Sequence, residues 1–280
     1  MKLRINHITD YRYFSPVHGS SNDLRLTPPQ TRWQKTVFFL LKIIPSSRLH
    51  RFQDLYTNHV THFEIEEPHH NLLIESNLTI ITTDAYTDGL PLGVPSDELA
   101  ALKNVEELQP FLHDNGVVEI PPEIWRIAID IASNETDVFS LAQALMRYVH
   151  ETCQYVPGVT SVSTTSTQFF ADKRGVCQDF AHLMIALCRA LRLPARYVSG
   201  YLYDAKRKDI RGAHSTHAWV DVWVPNRGWY GLDPTNNCLT KETYVTLAVG
   251  RDYHDAAPIT GSYWGSTGCE MVVKVHIEEV

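Results

Sequence analysis

The chain has no long apolar run. Its longest, Val37 to Ile44, is eight residues and already contains Lys42, far short of the roughly 20 apolar residues of a membrane helix. The N-terminus, Met1-Lys2-Leu3-Arg4-Ile5-Asn6-His7, shows neither an apolar stretch of signal-peptide length nor a small-residue cleavage site, so a cytoplasmic protein without membrane attachment is expected. A basic stripe is missing too: 25 Lys and Arg against 32 Asp and Glu leave a formal charge of −7, which argues against a nucleic-acid partner. Nothing matches G-x-G-x-x-G or a P-loop, so no nucleotide cofactor is implied. The five cysteines (Cys153, Cys177, Cys188, Cys238, Cys269) are odd in number and show no C-x-x-C spacing, which excludes a disulfide framework. Without paired Cys ligands or H-E-x-x-H, and with His59 and His62 three apart on a strand, no metal is expected. Internal repeats, low-complexity segments and any signal of oligomeric state are likewise absent.

What is present is ordinary globular material. The chain has 280 residues, 44% of them hydrophobic and 20% charged, enough for two domains at roughly 150 residues each. Residues 1–84 read as an antiparallel β-sandwich or small barrel. Leu72, Ile74, Leu78 and Ile80 share one parity, the mark of a strand with one buried face. Val37 to Ile44, apolar on both faces, reads as a central strand. Residues 85–135 form a linker broken by Gly89, Pro91, Gly93 and Pro95, by Asn115-Gly116 and by Pro121-Pro122, with a short helix capped at Ser96. From 136 to 280 the pattern is α+β. Asp137 caps a helix with Val138, Leu141, Leu145 and Val149 on one stripe. A second helix runs from Cys177 to Leu191 with Arg189 near its end, where a cation suits the helix dipole. Strands follow at 196–203, 218–224 and 228–232, and Met271 to Ile277 supplies a last one.

Candidate chemistry begins at Arg174-Gly175-Val176-Cys177-Gln178-Asp179-Phe180. A cysteine in the first turn of a helix faces unpaired N–H groups and the positive end of the dipole, which favour a thiolate and suit a developing oxyanion. The other four cysteines read as small buried hydrophobes. A thiolate nucleophile needs an imidazole, and His217, on the strand His217-Ala218-Trp219-Val220-Asp221, is held more tightly than its rival His214 in a loop. His182 reads as structural. The orienting carboxylate is Asp233, at the end of a strand joined to that of His217 by the turn Pro225-Asn226-Arg227-Gly228. Centred on position 225, His217 and Asp233 fall opposite one another. Asp221 reads as a solvated strand residue.

These blocks resemble the transglutaminase-like superfamily of papain-type Cys-His-Asp enzymes. The matches are Gly175-Val176-Cys177-Gln178-Asp179-Phe180-Ala181-His182, Pro194-Ala195-Arg196-Tyr197-Val198-Ser199-Gly200-Tyr201, His217-Ala218-Trp219 and Leu232-Asp233-Pro234-Thr235-Asn236. The front half resembles the N-terminal β domain of bacterial members through Tyr11-Arg12-Tyr13, Leu24-Arg25-Leu26-Thr27-Pro28 and Pro68-His69. The resemblance implies Cys177 as nucleophile, His217 as general base and acid, and Asp233 as orienting residue. It implies a helix packed on an antiparallel sheet and acyl transfer through a thioester on a peptide, protein or amide substrate, without cofactor. Leu193 departs from the pattern, standing where glycine commonly precedes Pro-Ala-Arg. Hydrolysis, as in a cysteine protease or amidase, is the first expectation. Cross-linking of glutamine to amines is the alternative, and a non-catalytic scaffold retaining the fold is the reading from another class. Acetyl transfer to arylamines would need a coenzyme A pocket for which the sequence gives no sign. Gln168 and Gln178 are candidate oxyanion donors by residue type, and Trp219, Tyr201, Tyr253 and the loop at Ser163 are candidate pocket residues.

Overall fold

The computed structural model describes residues 1–203, 215–265 and 268–280. In chain order the strands of the first half are β1 (Lys2–Thr27), β2 (Gln34–Ile44), β3 (His50–Gln53), β4 (His59–Ile65) and β5 (His69–Thr82). They form one curled antiparallel sheet in the order β2-β5-β1-β4-β3. The long strand β1 makes the curl: its first part pairs with β5, from Lys2↔Ile81 to Arg12↔Asn71, and its last part with β4. Buried positions on β1 are odd-numbered through Val17 and even-numbered from Ser20. The switch falls at Gly19, whose φ of +57° costs a glycine little.

β2 is an edge strand, not the central strand its composition suggested. Val37, Phe38, Leu40 and Ile44 are each about half exposed. A register shift between Thr36 and Phe38 turns the strand against β5, and no described element covers its outer face. Two apolar faces therefore did not mean two buried faces.

The connecting segment folds as two 3₁₀ helices, Ser96–Asn104 and Glu106–Phe111, and Ser96 makes no capping bond. Leu99 and Leu102 are buried one 3₁₀ turn apart. Pro121-Pro122, read from the sequence as a break, instead opens α1 (Pro122–Ala132), because proline at the first helical position lacks only an N–H that would be unpaired anyway. In α2 (Val138–Thr152) the expected cap is present: Asp137 accepts from Ser140 N–H at 2.8 Å. Its other oxygen accepts from Gly93 and Val94 N–H at 2.7 and 2.9 Å, tying the connection to the helix.

Then follow β6 (Gln154–Tyr155), α3 (Ser166–Asp172), β7 (Arg174–Gly175), α4 (Cys177–Ala190), β8 (Ala195–Leu202), β9 (Ser215–Val224), β10 (Gly228–Asp233), β11 (Cys238–Leu239), β12 (Tyr244–Gly250), α5 (Tyr253–Ala256), β13 (Ile259–Trp264) and β14 (Cys269–Glu279). A second antiparallel sheet has the order β11-β10-β9-β8-β12. α4 packs against β8 and β9 on one side and α1, α2 and α3 on the other, so every residue from Gln178 to Arg189 is buried. Arg189 is not a solvated cation at the helix end. It is 2% exposed and donates to the carbonyls of His113, Ala195 and Arg251 at 2.7–3.3 Å.

The last strand is also placed differently from expectation. β14 pairs with β1, from Leu3↔Glu279 to Tyr13↔Cys269, and β13 pairs with the later part of β1. The C-terminal segment thus returns to the first sheet, because β1 offers it a free edge. The two sheets share apolar contacts, with Tyr201, Val245 and Leu247 buried alongside Leu3, Ile5 and Leu78. No helix among the described residues is long and apolar enough to cross a membrane.

Candidate active site

Cys177 is the first residue of α4, where the helix leaves N–H groups without intrahelical partners. The turn into the helix is fixed by Asp179, whose Oδ2 accepts from Val176 N–H and from Thr160 Oγ1, both at 2.7 Å. Gly175 is required here for a close approach: a Cβ would collide with the Asp179 carboxylate and lie 2.9 Å from the Phe169 ring. The Cys177 side chain is half-buried. Among the other cysteines, Cys153 and Cys188 are buried as expected. Cys269 is exposed, because it opens a strand added at a sheet margin, and Cys238 lies 3.3 Å from the Tyr244 hydroxyl.

His217 and Asp233 lie on β9 and β10, which pair from Gly228↔Val224 to Leu232↔Val220. Continuing that register puts Asp233 opposite Trp219, with His217 two residues further along the same face. The pair is therefore diagonal, not directly opposed, and still within side-chain reach. His217 Nε2 meets Asp233 Oδ2 at 2.8 Å, and neither side chain has any solvent exposure. Asp233 is held on every side. Its Oδ1 accepts from the N–H groups of Thr235 and Asn236 at 2.9 and 3.1 Å. Its Oδ2 also accepts from Asn236 Nδ2 at 2.7 Å and from the Tyr244 hydroxyl at 2.8 Å.

With Nε2 committed to Asp233, the imidazole presents Nδ1, which is buried and makes no full hydrogen bond among the described residues; the Cys177 side chain interacts with the ring. His217 and Cys177 line the same cleft, of about 250 Å³. Burial disfavours the imidazolium, but the Asp233 carboxylate, by charge and hydrogen bond, and then the neighbouring Cys177 reverse the balance and raise the His217 pKa. In Asp233 burial acts against the carboxylate; the charge and hydrogen bond of His217, with Asn236 and Tyr244, outweigh it and hold the pKa below the ordinary range. Both shifts have one main source, the contact between an imidazole and a carboxylate whose side chains are shut off from solvent.

The rival residues fall elsewhere. Asp221 is ion-paired with Arg196 at 2.8 Å and only 13% exposed in its side chain, not solvated. His182 is fully buried and accepts from Tyr253 N–H. His214 lies outside the described residues. Of the candidate pocket residues, Tyr253 lines the cleft. Tyr201 is buried behind it with its hydroxyl on His7 Nδ1, and Trp219 lines a separate cavity of about 500 Å³. Ser163 is exposed outside both. Gln178 lines the cleft while donating to Val162 O at 3.2 Å, whereas Gln168 is spent in the capping box of α3. Sequence reasoning missed Tyr244, which carries no local signal, and the role of Asn236, which the D-P-T-N turn could have suggested. Among the described residues no group of His, Cys, Asp and Glu could hold a metal.

Residues 126–234 match the transglutaminase-like superfamily and residues 3–81 the bacterial transglutaminase-like N-terminal region. An uncharacterized protein of Mycobacterium leprae is 31% identical over 99% of this chain and 98% of its own length. An uncharacterized protein of Mycobacterium tuberculosis is 33% identical over 100% and 92%. The chain belongs to the transglutaminase-like superfamily. A protein-glutamine gamma-glutamyltransferase of Pseudomonas aeruginosa is 34% identical over 34% of this chain and 15% of that protein. A crystal structure from Cytophaga hutchinsonii, of a protein provisionally named a cysteine protease, superposes with a TM-score of 0.77 over 100% of this chain and 91% of that one. At 23% identity this shows that the two molecules share a fold.

Proposed function

We propose that the protein is a thiol-dependent acyl-transfer enzyme that cleaves a peptide or amide bond through Cys177, His217 and Asp233. The observation that carries this reading is the division of labour on one imidazole. Nε2 is fixed on a buried carboxylate at 2.8 Å, while Nδ1, which makes no full hydrogen bond among the described residues, belongs to a ring that lines the same cleft as a helix-start thiol. In the reaction the Cys177 sulfur adds to the carbonyl carbon, N–H groups of the first turn of α4 stabilise the oxyanion, and His217 donates its proton to the departing amine. A thioester remains. Water, deprotonated by the same nitrogen, attacks it, the C–S bond breaks, and Cys177 is released. Asp233 keeps the imidazole in one orientation and stabilises its charged form throughout.

Cys177→Ala is expected to abolish product release from an amide or peptide library while shifting the melting temperature by less than about 2 °C, since a half-buried thiol contributes little packing. Turnover by Cys177→Ala equal to the wild type would refute the assignment. Intact-mass analysis of the products with a primary amine present separates hydrolysis from transfer: a free acid marks water as acceptor, an amine adduct marks the glutamyltransferase-like alternative.

A further inference from the structure

The cleft at Cys177 has two walls of different origin. One comes from the catalytic half: Cys177 and Gln178 from α4, His217 from β9 and Tyr253 from α5. The other is a patch of the N-terminal sheet. β1 contributes His7, Thr9 and Tyr11, alternate residues on one face, and β14 contributes Met271 and Val273. These are cross-strand neighbours, paired Thr9↔Val273 and Tyr11↔Met271, so they form one continuous surface. Its two parts differ in character. His7 and Thr9 are almost fully buried and satisfied: His7 Nδ1 meets the Tyr201 hydroxyl at 2.8 Å and Nε2 meets Thr9 Oγ1 at 3.1 Å. Met271 and Val273 are 54% and 44% exposed, apolar side chains open to solvent in the cleft that Cys177 also lines. No Asp, Glu, Lys or Arg lines the cleft among the described residues, in a chain that is 20% charged. At about 250 Å³ it is smaller than most whole-ligand pockets, room for one or two side chains.

We infer that this patch of the N-terminal sheet selects the substrate: Met271, Val273 and Tyr11 receive a bulky, uncharged apolar side chain next to the scissile carbonyl of a peptide. The inference rests on the acyl-transfer reading and adds its substrate class. The physical reason is that an apolar side chain covers Met271 and Val273 and gains by leaving water, roughly in proportion to the area buried. A charged one must shed its hydration against a lining that holds no Asp, Glu, Lys or Arg among the described residues and whose His217 is already held by Asp233. The polar floor of His7 and Thr9 has already used its hydrogen-bonding groups on Tyr201 and on each other, so it offers a charged substituent no compensation. The N-terminal β part is on this view a working half of the site, and the return of β14 to β1 is what brings Met271 into the cleft that Cys177 lines.

The test uses three alkylating probes on the full-length protein: iodoacetamide, which is too small to reach the patch, and two dipeptidyl chloromethyl ketones, one with leucine and one with glutamate next to the reactive carbonyl. Modification of Cys177 is followed by intact mass and peptide mapping. In the wild type the leucine probe is expected to react at least tenfold faster than the glutamate probe. Met271→Asn, which adds no charge near the thiolate, is expected to reduce the ratio of the leucine-probe rate to the iodoacetamide rate at Cys177 at least fivefold. Val273→Asn is a second variant with the same expected pattern, should the first fail to fold. Equal rates for the leucine and glutamate probes, or that ratio untouched in a folded variant, would overturn the inference while leaving the nucleophile intact. Failure of iodoacetamide to distinguish Cys177 from exposed Cys269 would instead sink the acyl-transfer reading, and the substrate class with it.

Discussion

At the scale of single residues the unusual feature is how completely Asp233 is surrounded. Two backbone N–H groups, an amide, a phenol and an imidazole all point at one carboxylate. Buried carboxylates survive as anions only with such compensation. Asp233→Asn turns half of that acceptor into a donor facing other donors. It should lower turnover by about two to four orders of magnitude, the range expected when an imidazole loses its orienting charge. Tyr244→Phe removes one donor only. Because the Tyr244 hydroxyl helps hold Asp233 below its ordinary pKa, its loss lets that pKa rise. The acid limb of the activity profile should therefore move to higher pH while the alkaline limb stays. A pH–rate profile in which both limbs coincide with wild type would show that the phenol is mere packing. Cys177, His217 and Asp233 were legible in the sequence because each sits at a local landmark: a helix start, an alternating strand, a strand ending at Asp-Pro. Tyr244 was not, since its contact with Asp233 depends on how β12 lies against the hairpin, which no local pattern encodes.

At the scale of elements, β12 presents a problem that the N-terminal half solves. It is the margin of the second sheet, and an unpaired margin exposes backbone groups to water or to other chains. Two side-chain amides stand in for a neighbouring strand. Gln34 accepts from Thr246 N–H at 2.9 Å and donates to Thr246 O at 2.9 Å; Asn58 accepts from Val249 N–H at 2.8 Å and donates to Val249 O at 2.7 Å. Both amides are buried, at 6% and 2% exposure. Asn58→Asp and Gln34→Glu keep the shape and the acceptor but lose the donor and bring a charge against a carbonyl. Each should cost about 2–3 kcal/mol, the penalty of a buried polar group left without its partner, read as a lower urea midpoint with unchanged slope. A loss below about 0.5 kcal/mol in both would mean water replaces the clamp. Neither residue stood out in the sequence, since a glutamine before a strand and an asparagine in a turn are ordinary. The strand parity of β5 and the stripe of α2 were readable because periodicity reports a buried face directly; an amide reaching a distant backbone has no period.

At the scale of the whole molecule, two buried contacts involve groups that titrate. His7, on β1, bonds Tyr201, on β8, across the two halves and lies under the cleft; His182, in α4, bonds the start of α5 within the second half. Burial lowers His7 to about 4, and burial, then Arg189 and His254, lowers His182 to about 3. In the unfolded chain both return to about 6.5. Above that pH neither state binds these protons and stability is unaffected. As pH falls below about 6.5 the unfolded chain takes up two protons that the folded one refuses, so stability drops by up to about 1.4 kcal/mol per pH unit for each histidine, or about 3 kcal/mol for both between pH 6.5 and 5. His217 works in the opposite sense. Raised in the folded state, it contributes fully below about 6.5 and loses that contribution as pH climbs through its folded value, while Asp233, lowered, contributes above about 3.9 and weakens only below that. Stability should therefore peak near pH 6.5, with a steep acid side owed to His7 and His182 and a shallower alkaline side owed to His217. Urea midpoints from pH 4.5 to 9 check the shape, and His7→Gln, which cannot take up the proton, should halve the acid slope. An unchanged acid slope in a folded His7→Gln protein would mean that His7 is solvated under the cleft, and that the N-terminal sheet does not close against β8 as tightly as the buried contact with Tyr201 requires.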